Sequence, residues 1–211
     1  TMLGLQMTTP IRDDPFAVLE DARIATVLRR LHGEANRQHL SIIRHFLPHV
    51  LSYVRRRFIP FAESEMAGFY ADKYIAIIEA QGAFAYLTAR ALRARTVVEF
   101  GTSFGLSTLW LAVAVRANGG GRVVTTEIVP DKARIARRNF EEAGLADLID
   151  VREGDVLESL ATDPTDIDFV LDDGRDGQQL LEELRHTHLI PLSTVYLIIT
   201  SERAYTNVVA L

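Results

Sequence analysis

Residues 97–108 read Val97-Val98-Glu99-Phe100-Gly101-Thr102-Ser103-Phe104-Gly105-Leu106-Ser107-Thr108, and this stretch decides the fold. A β-branched run feeds a glycine-containing turn, and a helix begins at once, as at the opening of a βαβ unit. Gly101 allows a sharp turn at the carboxyl end of the strand. Gly105 is expected to let the backbone approach a ligand closely where the helix starts, while Thr102 or Ser103 offers a hydroxyl. In an open α/β sheet this crevice takes nucleotide-like ligands. A single Gly-rich β–α turn is also an ordinary structural element, so further residues must carry the function.

Outward from that turn, β-branched runs recur at 122–127, 148–152, 167–171 and 194–200, separated by helical stretches at about 105–117, 131–143 and 177–187. This alternation predicts a doubly wound α/β fold with a mainly parallel sheet and helices on both faces. Upstream, helical spacing runs from Asp13 to Leu31 with Gly33 as a stop. A second helix carries Leu40, Ile43, Phe46, Leu47, Val50, Leu51 and Val54, kinked or broken at Pro48 and ended by Pro60. Over 61–93 a further helical reading puts Tyr74, Ile77, Ile78, Phe84, Leu87 and Leu92 on the core face. The expected organisation is a flexible lead-in over 1–10, a helical segment over 11–93 and a cofactor-binding α/β domain over 94–211.

Composition narrows the function. The 211 residues are 48% hydrophobic, enough for a proper core. With 23 Lys+Arg against 28 Asp+Glu the net charge is −5, which argues against a nucleic-acid partner held by its phosphates. No cysteine is present, so disulfides, thiolate metal ligation and a Cys nucleophile are excluded. No apolar run reaches the roughly 18 residues of a membrane span, and a cytoplasmic enzyme is the expectation. His45 and His49 stand one helical turn apart without a companion acid–His motif, Arg55-Arg56-Arg57 reads as a solvated helix end, and Trp110 reads as core packing.

Two acids sharpen the site. The strand at 122–127 ends in Glu127, 22 positions after Gly105, where a carboxylate accepts hydrogen bonds from both ribose hydroxyls of an adenosine cofactor. The competing role, capping the helix ahead of Pro130-Asp131, is one Asp131 itself fills, which leaves Glu127 free. Asp155, after the third strand, is placed to accept from the exocyclic amine of adenine. The turn G-T-S-F-G lacks the middle glycine of G-x-G-x-x-G that admits a pyrophosphate, and no P-loop is present. Adenosine without phosphates favours S-adenosylmethionine over NAD.

The stretches VVEFGTSFGLSTLWLA, RVVTTEIVPDKARIARRNFEEAGL, REGDVLESL and IDFVLDDG together resemble the class I S-adenosylmethionine-dependent methyltransferases, in particular the small catechol and caffeoyl-CoA O-methyltransferases, over about half the chain. The resemblance implies a Rossmann-like fold and methyl transfer to a hydroxyl of a small molecule. It implies that Glu99 and the Gly101–Gly105 turn hold the methionine end, with Ser107 and Thr108 among the contacts. It places Glu127 on the ribose with Ile128 beside it, Asp155 and Val156 near adenine, and Gln81, within Ala80-Gln81-Gly82, in the helix that closes over the cofactor. Asp173 falls where the family has an acid serving both the cofactor's surroundings and a divalent cation. The Asp–Asn pair that completes a magnesium site is replaced by Thr200-Ser201, so a Mg2+ site is expected to be weak or absent. Arg175 and Asp176 stand where the family places a lysine base. Arg175 stays protonated, which leaves Asp173 and Asp176 as the catalytic candidates. After Gly174 the resemblance fades, and the final eleven residues predict shortened or divergent C-terminal strands, with at most one short strand over 205–211, and an open apolar edge on the 194–200 strand met by self-association or by helical packing. The rival readings are a cofactor-binding protein with impaired catalysis and, less favoured, an NAD-dependent oxidoreductase.

Overall fold

The computed structural model describes residues 14–46, 68–70, 72–160, 163–172, 195–199 and 206–210. The β-branched runs form one sheet of six strands: β1 (Thr96–Phe100), β2 (Arg122–Glu127), β3 (Ile149–Glu153), β4 (Phe169–Asp172), β5 (Val195–Ile199) and β6 (Thr206–Ala210). Their order is β3-β2-β1-β4-β5-β6. The first five are mutually parallel and β6 runs antiparallel to β5. The strand order reverses at β1, so the crevice at its carboxyl end is the topological switch point where doubly wound sheets bind ligands.

Burial follows position in the sheet. β1 sits between β2 and β4, and Val97 through Phe100 are all buried without alternation, as a central parallel strand requires. The helices are α1 (Ala22–Phe46), α2 (Glu79–Ala91), α3 (Leu106–Ala117), α4 (Pro130–Ala143) and the single turn α5 (Val156–Ser159). α3 is buried on every side from Leu106 to Val115. α4 is amphipathic, burying Ala133, Ala136, Phe140 and Ala143 at helical spacing. The α1 residues Ile24, Leu28 and Leu31 join the same core as Val97, Trp110 and Phe169. Among the described residues no helix is long and apolar enough to cross a membrane.

Three expectations change here. The first helix is interrupted and then runs on. A 3-10 turn over Pro15–Val18 precedes a break, Asp21 accepts the N–H of Arg23 at 2.9 Å, and α1 continues through Gly33 to Phe46. A glycine inside a helix costs about 1 kcal/mol against alanine, and the buried stripe of Ile24, Val27, Leu28, Leu31 and Ala35 outweighs that. Of the second predicted helix, Leu40, Ile43 and Phe46 fall in this same α1; Leu47, Pro48, Val50, Leu51, Val54 and Pro60 lie outside the described residues.

The core face of α2 is the reverse of the predicted one. Gly82, Ala83, Ala85, Tyr86 and Ala89 are buried, whereas Ile78 is 51% and Phe84 41% exposed, with Leu87 and Leu92 also outward. Close approach to α3 selects small residues: a Cβ at Gly82 would stand 2.2 Å from Trp110 Nε1. Only Ile77 and Tyr74 of the predicted face turn inward, both before the helix begins.

The edge of β5 is not open. β6 pairs with it from Val195↔Ala210 to Ile199↔Thr206, so the ground for self-association through that edge falls away.

Trp110 is fully buried, as expected. It stacks on Phe16 at 5.5 Å and donates from Nε1 to His32 Nε2 at 3.2 Å. Burial pushes the His32 pKa down to about 4, against the opposing charge of Glu79. Between pH 6.5 and 4 the unfolded chain therefore binds a proton that the folded chain refuses. This depressed group stabilises above pH 6.5, and roughly 3 kcal/mol is lost as pH falls to 4. The drop in melting temperature from pH 7 to 4.5 should shrink in His32→Gln; an unchanged drop would remove His32 as its source.

Candidate functional site

The site grows from three adjacent carboxyl ends, those of β1, β2 and β3. Beyond β1 the chain turns through Gly101 (φ 90°), Ser103 (φ 48°) and Gly105 (φ 87°). The turn is laced to the end of β2. The N–H groups of Gly101 and Thr102 both donate to Thr126 O, at 3.2 and 2.9 Å, and that of Ser103 donates to Glu127 Oε2 at 2.7 Å. Gly101 serves its expected purpose: it holds a left-handed conformation, and a Cβ there would meet nothing within 4 Å. At Gly105 a Cβ would stand 2.3 Å from the Phe140 ring and 3.4 Å from Ala136, so the lack of a side chain lets α3 pack on α4.

Glu127 is buried and fully engaged by backbone. Besides Ser103, its Oε1 accepts the N–H of Val129 at 2.8 Å. Asp131 does not take over the capping. It pairs with Arg134 at 3.1 Å, and α4 has no side-chain cap. The two backbone donors fix the orientation of Glu127, and each carboxylate oxygen keeps a further acceptor position. Its carbonyl accepts from Gly154 N–H at 3.0 Å, which draws the end of β3 to the same place.

Glu99 lies wholly inside. Its Oε2 accepts from Thr125 Oγ1 at 2.7 Å and from Thr108 Oγ1, and Thr125 Oγ1 is 2.6 Å from Thr102 Oγ1. Among the described residues, Oε1 of Glu99 and the buried Ser103 Oγ find no hydrogen-bond partner. Burial pushes the Glu99 pKa up to about 7, against the Ser107, Thr108 and Thr125 hydroxyls, with the Glu127 charge adding to the rise. A raised carboxyl stabilises below pH 4.5 and loses that contribution as pH climbs through 7. Relative to wild type, Glu99→Gln should therefore gain about 3 kcal/mol between pH 4.5 and above 7. Denaturant melts at the two pH values measure it, and a constant difference would mean that Glu99 stays ionised throughout.

The other predicted residues distribute as follows. Ser107 and Thr108 are buried in the first turn of α3, and Ile128 is 75% exposed beside Glu127. Asp155 is exposed after β3 and accepts from Glu158 N–H at 3.4 Å, while Val156 opens α5. Gln81 Oε1 accepts from Ile78 N–H at 3.0 Å and so closes the start of α2. Asp173, Asp176, Arg175 and Thr200-Ser201 lie outside the described residues, as do His49 and Arg55-Arg56-Arg57. Thr125, which bridges Thr102 and Glu99, has no sequence signal beyond its place in β2. Lys132 was also missed. It is a buried cation on the face of α4 that also buries Ala133, Ala136, Asn139, Phe140 and Ala143, with its Nζ 5.5 Å from the centre of the Phe104 ring, whose centre is 4.4 Å from that of Tyr74.

Comparison with known proteins agrees with this geometry. A family described as "Methyltransferase domain" matches residues 98–192. The catechol O-methyltransferase of Mycobacterium tuberculosis is 46% identical over 99 residues, 46% of this chain and 44% of that protein. The chain thus matches less than half the length of this curated relative. Among solved structures, cofactor-bound Rv0187 from MTB is 31% identical with a TM-score of 0.54, covering 72% of this chain and 71% of that one. The O-methyltransferase from Bacillus cereus in complex with SAH is 30% identical with a TM-score of 0.55, covering 70% of each chain. With the switch-point turn, the β2 acid and relatives of this identity and coverage, the chain belongs to the class I S-adenosylmethionine-dependent small O-methyltransferase family.

Proposed function

We propose that this chain transfers a methyl group from S-adenosylmethionine to a hydroxyl of a small acceptor. The observation that carries the reading is Glu127, a carboxylate held by Ser103 and Val129 N–H groups beside the turn at the switch point. The residues suit the cofactor. Glu99 Oε1 and Ser103 Oγ are buried polar atoms without partners among the described residues, next to a turn that is open at Gly101, and they match a ligand with a cationic amino-acid end. In this reading Glu99, Gly101, Thr102, Ser103, Gly105, Ser107 and Thr108 frame the methionine end. Glu127 takes the ribose, Ile128 and Val156 border the adenine that Asp155 recognises, and Gln81 steadies the helix above. Relatives crystallised with SAH support the same assignment.

When bound, the cofactor supplies an electrophilic sulfonium methyl. The protein's contribution is to hold and orient, since alignment of the acceptor oxygen supplies much of the acceleration. Asp173 and Asp176 are the proposed acceptor-side acids. Transfer without dependence on Mg2+ is part of this reading, supported by Thr200-Ser201 following β5 where carboxylate ligands are expected. EDTA should leave turnover unchanged; loss on chelation with recovery on added magnesium would overturn that. A cytoplasmic location and a homo-oligomer complete the reading, the latter supported by the outward apolar residues of α2 rather than by the β5 edge. A panel of catechols and simple phenols with labelled cofactor tests the activity. Methylated product is expected, whereas cofactor binding without transfer to any acceptor would favour a binding protein.

A further inference from the structure

Lys132 stands where a lysine is costly. It is 4% exposed, and it lies in the first turn of α4, where a cation meets the positive end of the helix dipole. Among the described residues no oxygen comes within hydrogen-bonding or ion-pair distance of its Nζ, which lies 5.5 Å from the centre of the Phe104 ring. Burial pulls its pKa down, and the charges of Glu127 and Asp72 oppose that. An ammonium has three donors and no acceptor, so one buried without a partner is a lasting penalty unless a ligand supplies the oxygen. The nearby Glu127 has the complementary need. Its two oxygens already hold backbone donors and keep acceptor positions to spare. Lys132 lies in the first turn of the helix that starts three residues after Glu127, and a hydroxyl, which both donates and accepts, is the group that would serve an ammonium and a carboxylate together.

We propose that Lys132 is a second ribose-binding residue, donating to a cofactor hydroxyl whose own proton goes to Glu127, so that the two together select a free ribose hydroxyl. This rests on the S-adenosylmethionine reading of the site. The pair explains why a lysine is kept on a face whose other buried residues, Ala133, Ala136, Asn139, Phe140 and Ala143, carry no charge. It also predicts a cost in stability, since a methionine at 132 would fill the same space without desolvating a charge.

The test is calorimetric titration of wild type and Lys132→Met with S-adenosylhomocysteine and its 2′-deoxy and 3′-deoxy analogues, beside thermal melts. Lys132→Met is expected to melt no lower than wild type and to bind S-adenosylhomocysteine roughly tenfold to a hundredfold more weakly. It should also lose most of the discrimination against one deoxy analogue. Lys132→Gln carries the same comparison if the methionine variant does not fold. Affinity within about twofold of wild type, or an equal loss for all three ligands, overturns the proposal. If wild type binds S-adenosylhomocysteine and Glu127→Ala weakens it while Lys132→Met does not, only the role of Lys132 fails. If wild type does not bind it at all, the cofactor reading fails as well.

Discussion

Alanine at Glu127 is expected to weaken S-adenosylhomocysteine binding by roughly tenfold to a hundredfold, the consequence of losing about 1.5–3 kcal/mol of charge-assisted hydrogen bonding. The loss has two sources. The ribose hydroxyls lose their acceptor, and the N–H groups of Ser103 and Val129 lose theirs, so Ser103 is no longer tied to the end of β2. Thr126 O still holds Gly101 and Thr102, so the strand and turn should survive and the variant should fold. Glu127→Gln separates the sources. It keeps one oxygen acceptor but sets an amide NH2 against one of the two backbone donors, and should fall between wild type and alanine. Calorimetry reads both variants. An affinity in Glu127→Ala equal to wild type would remove Glu127 from the ribose site and leave it a purely structural anchor.

Alanine at Gly105 should lower stability by about 2–5 kcal/mol. A side chain at φ 87° costs roughly 1–2 kcal/mol, and forcing a methyl to within 2.3 Å of the Phe140 ring adds about 1–3 kcal/mol of overpacking. For a chain of this size the melting temperature should drop by on the order of 10 °C. Gly101→Ala is the natural comparison. It shares the backbone strain at φ 90°, but its Cβ would meet no atom within 4 Å, so only the conformational part of the loss should appear. Equal melting temperatures for the two variants would show that Phe140 yields easily and that Gly105 is there for its conformation alone.

The contrast between these glycines shows what the sequence carried and what it did not. A β-branched run into G-T-S-F-G announced the strand, the turn and the helix, because a central parallel strand is apolar without alternation and its exit demands positive φ. The acid at the end of β2 was equally legible by position. What each residue is for depended on neighbours distant in sequence. Phe140 claims the space at Gly105, and Ser103 and Val129 claim the oxygens of Glu127, since backbone donors leave no trace in residue identity. The face of α2 was misread for a related reason. Apolar periodicity weighs large residues, yet Trp110 lies so close at Gly82 that no side chain fits there, and the buried face is mostly alanine. Gly33 was weighed by propensity alone, and tertiary burial on either side overrode it. Lys132 gave no motif at all; only its burial beside Phe104 and the Glu127 charge marks it.

The measurement closest to the central claim is a titration of the wild-type chain with S-adenosylhomocysteine and, separately, with NAD. The turn lacks the middle glycine that admits a pyrophosphate, a group NAD carries and S-adenosylhomocysteine does not. One molecule of S-adenosylhomocysteine per chain is expected to bind, lost or sharply weakened in Glu127→Ala, with no heat from NAD. Saturable binding of NAD at the Glu127 site, with none of S-adenosylhomocysteine, would contradict the account.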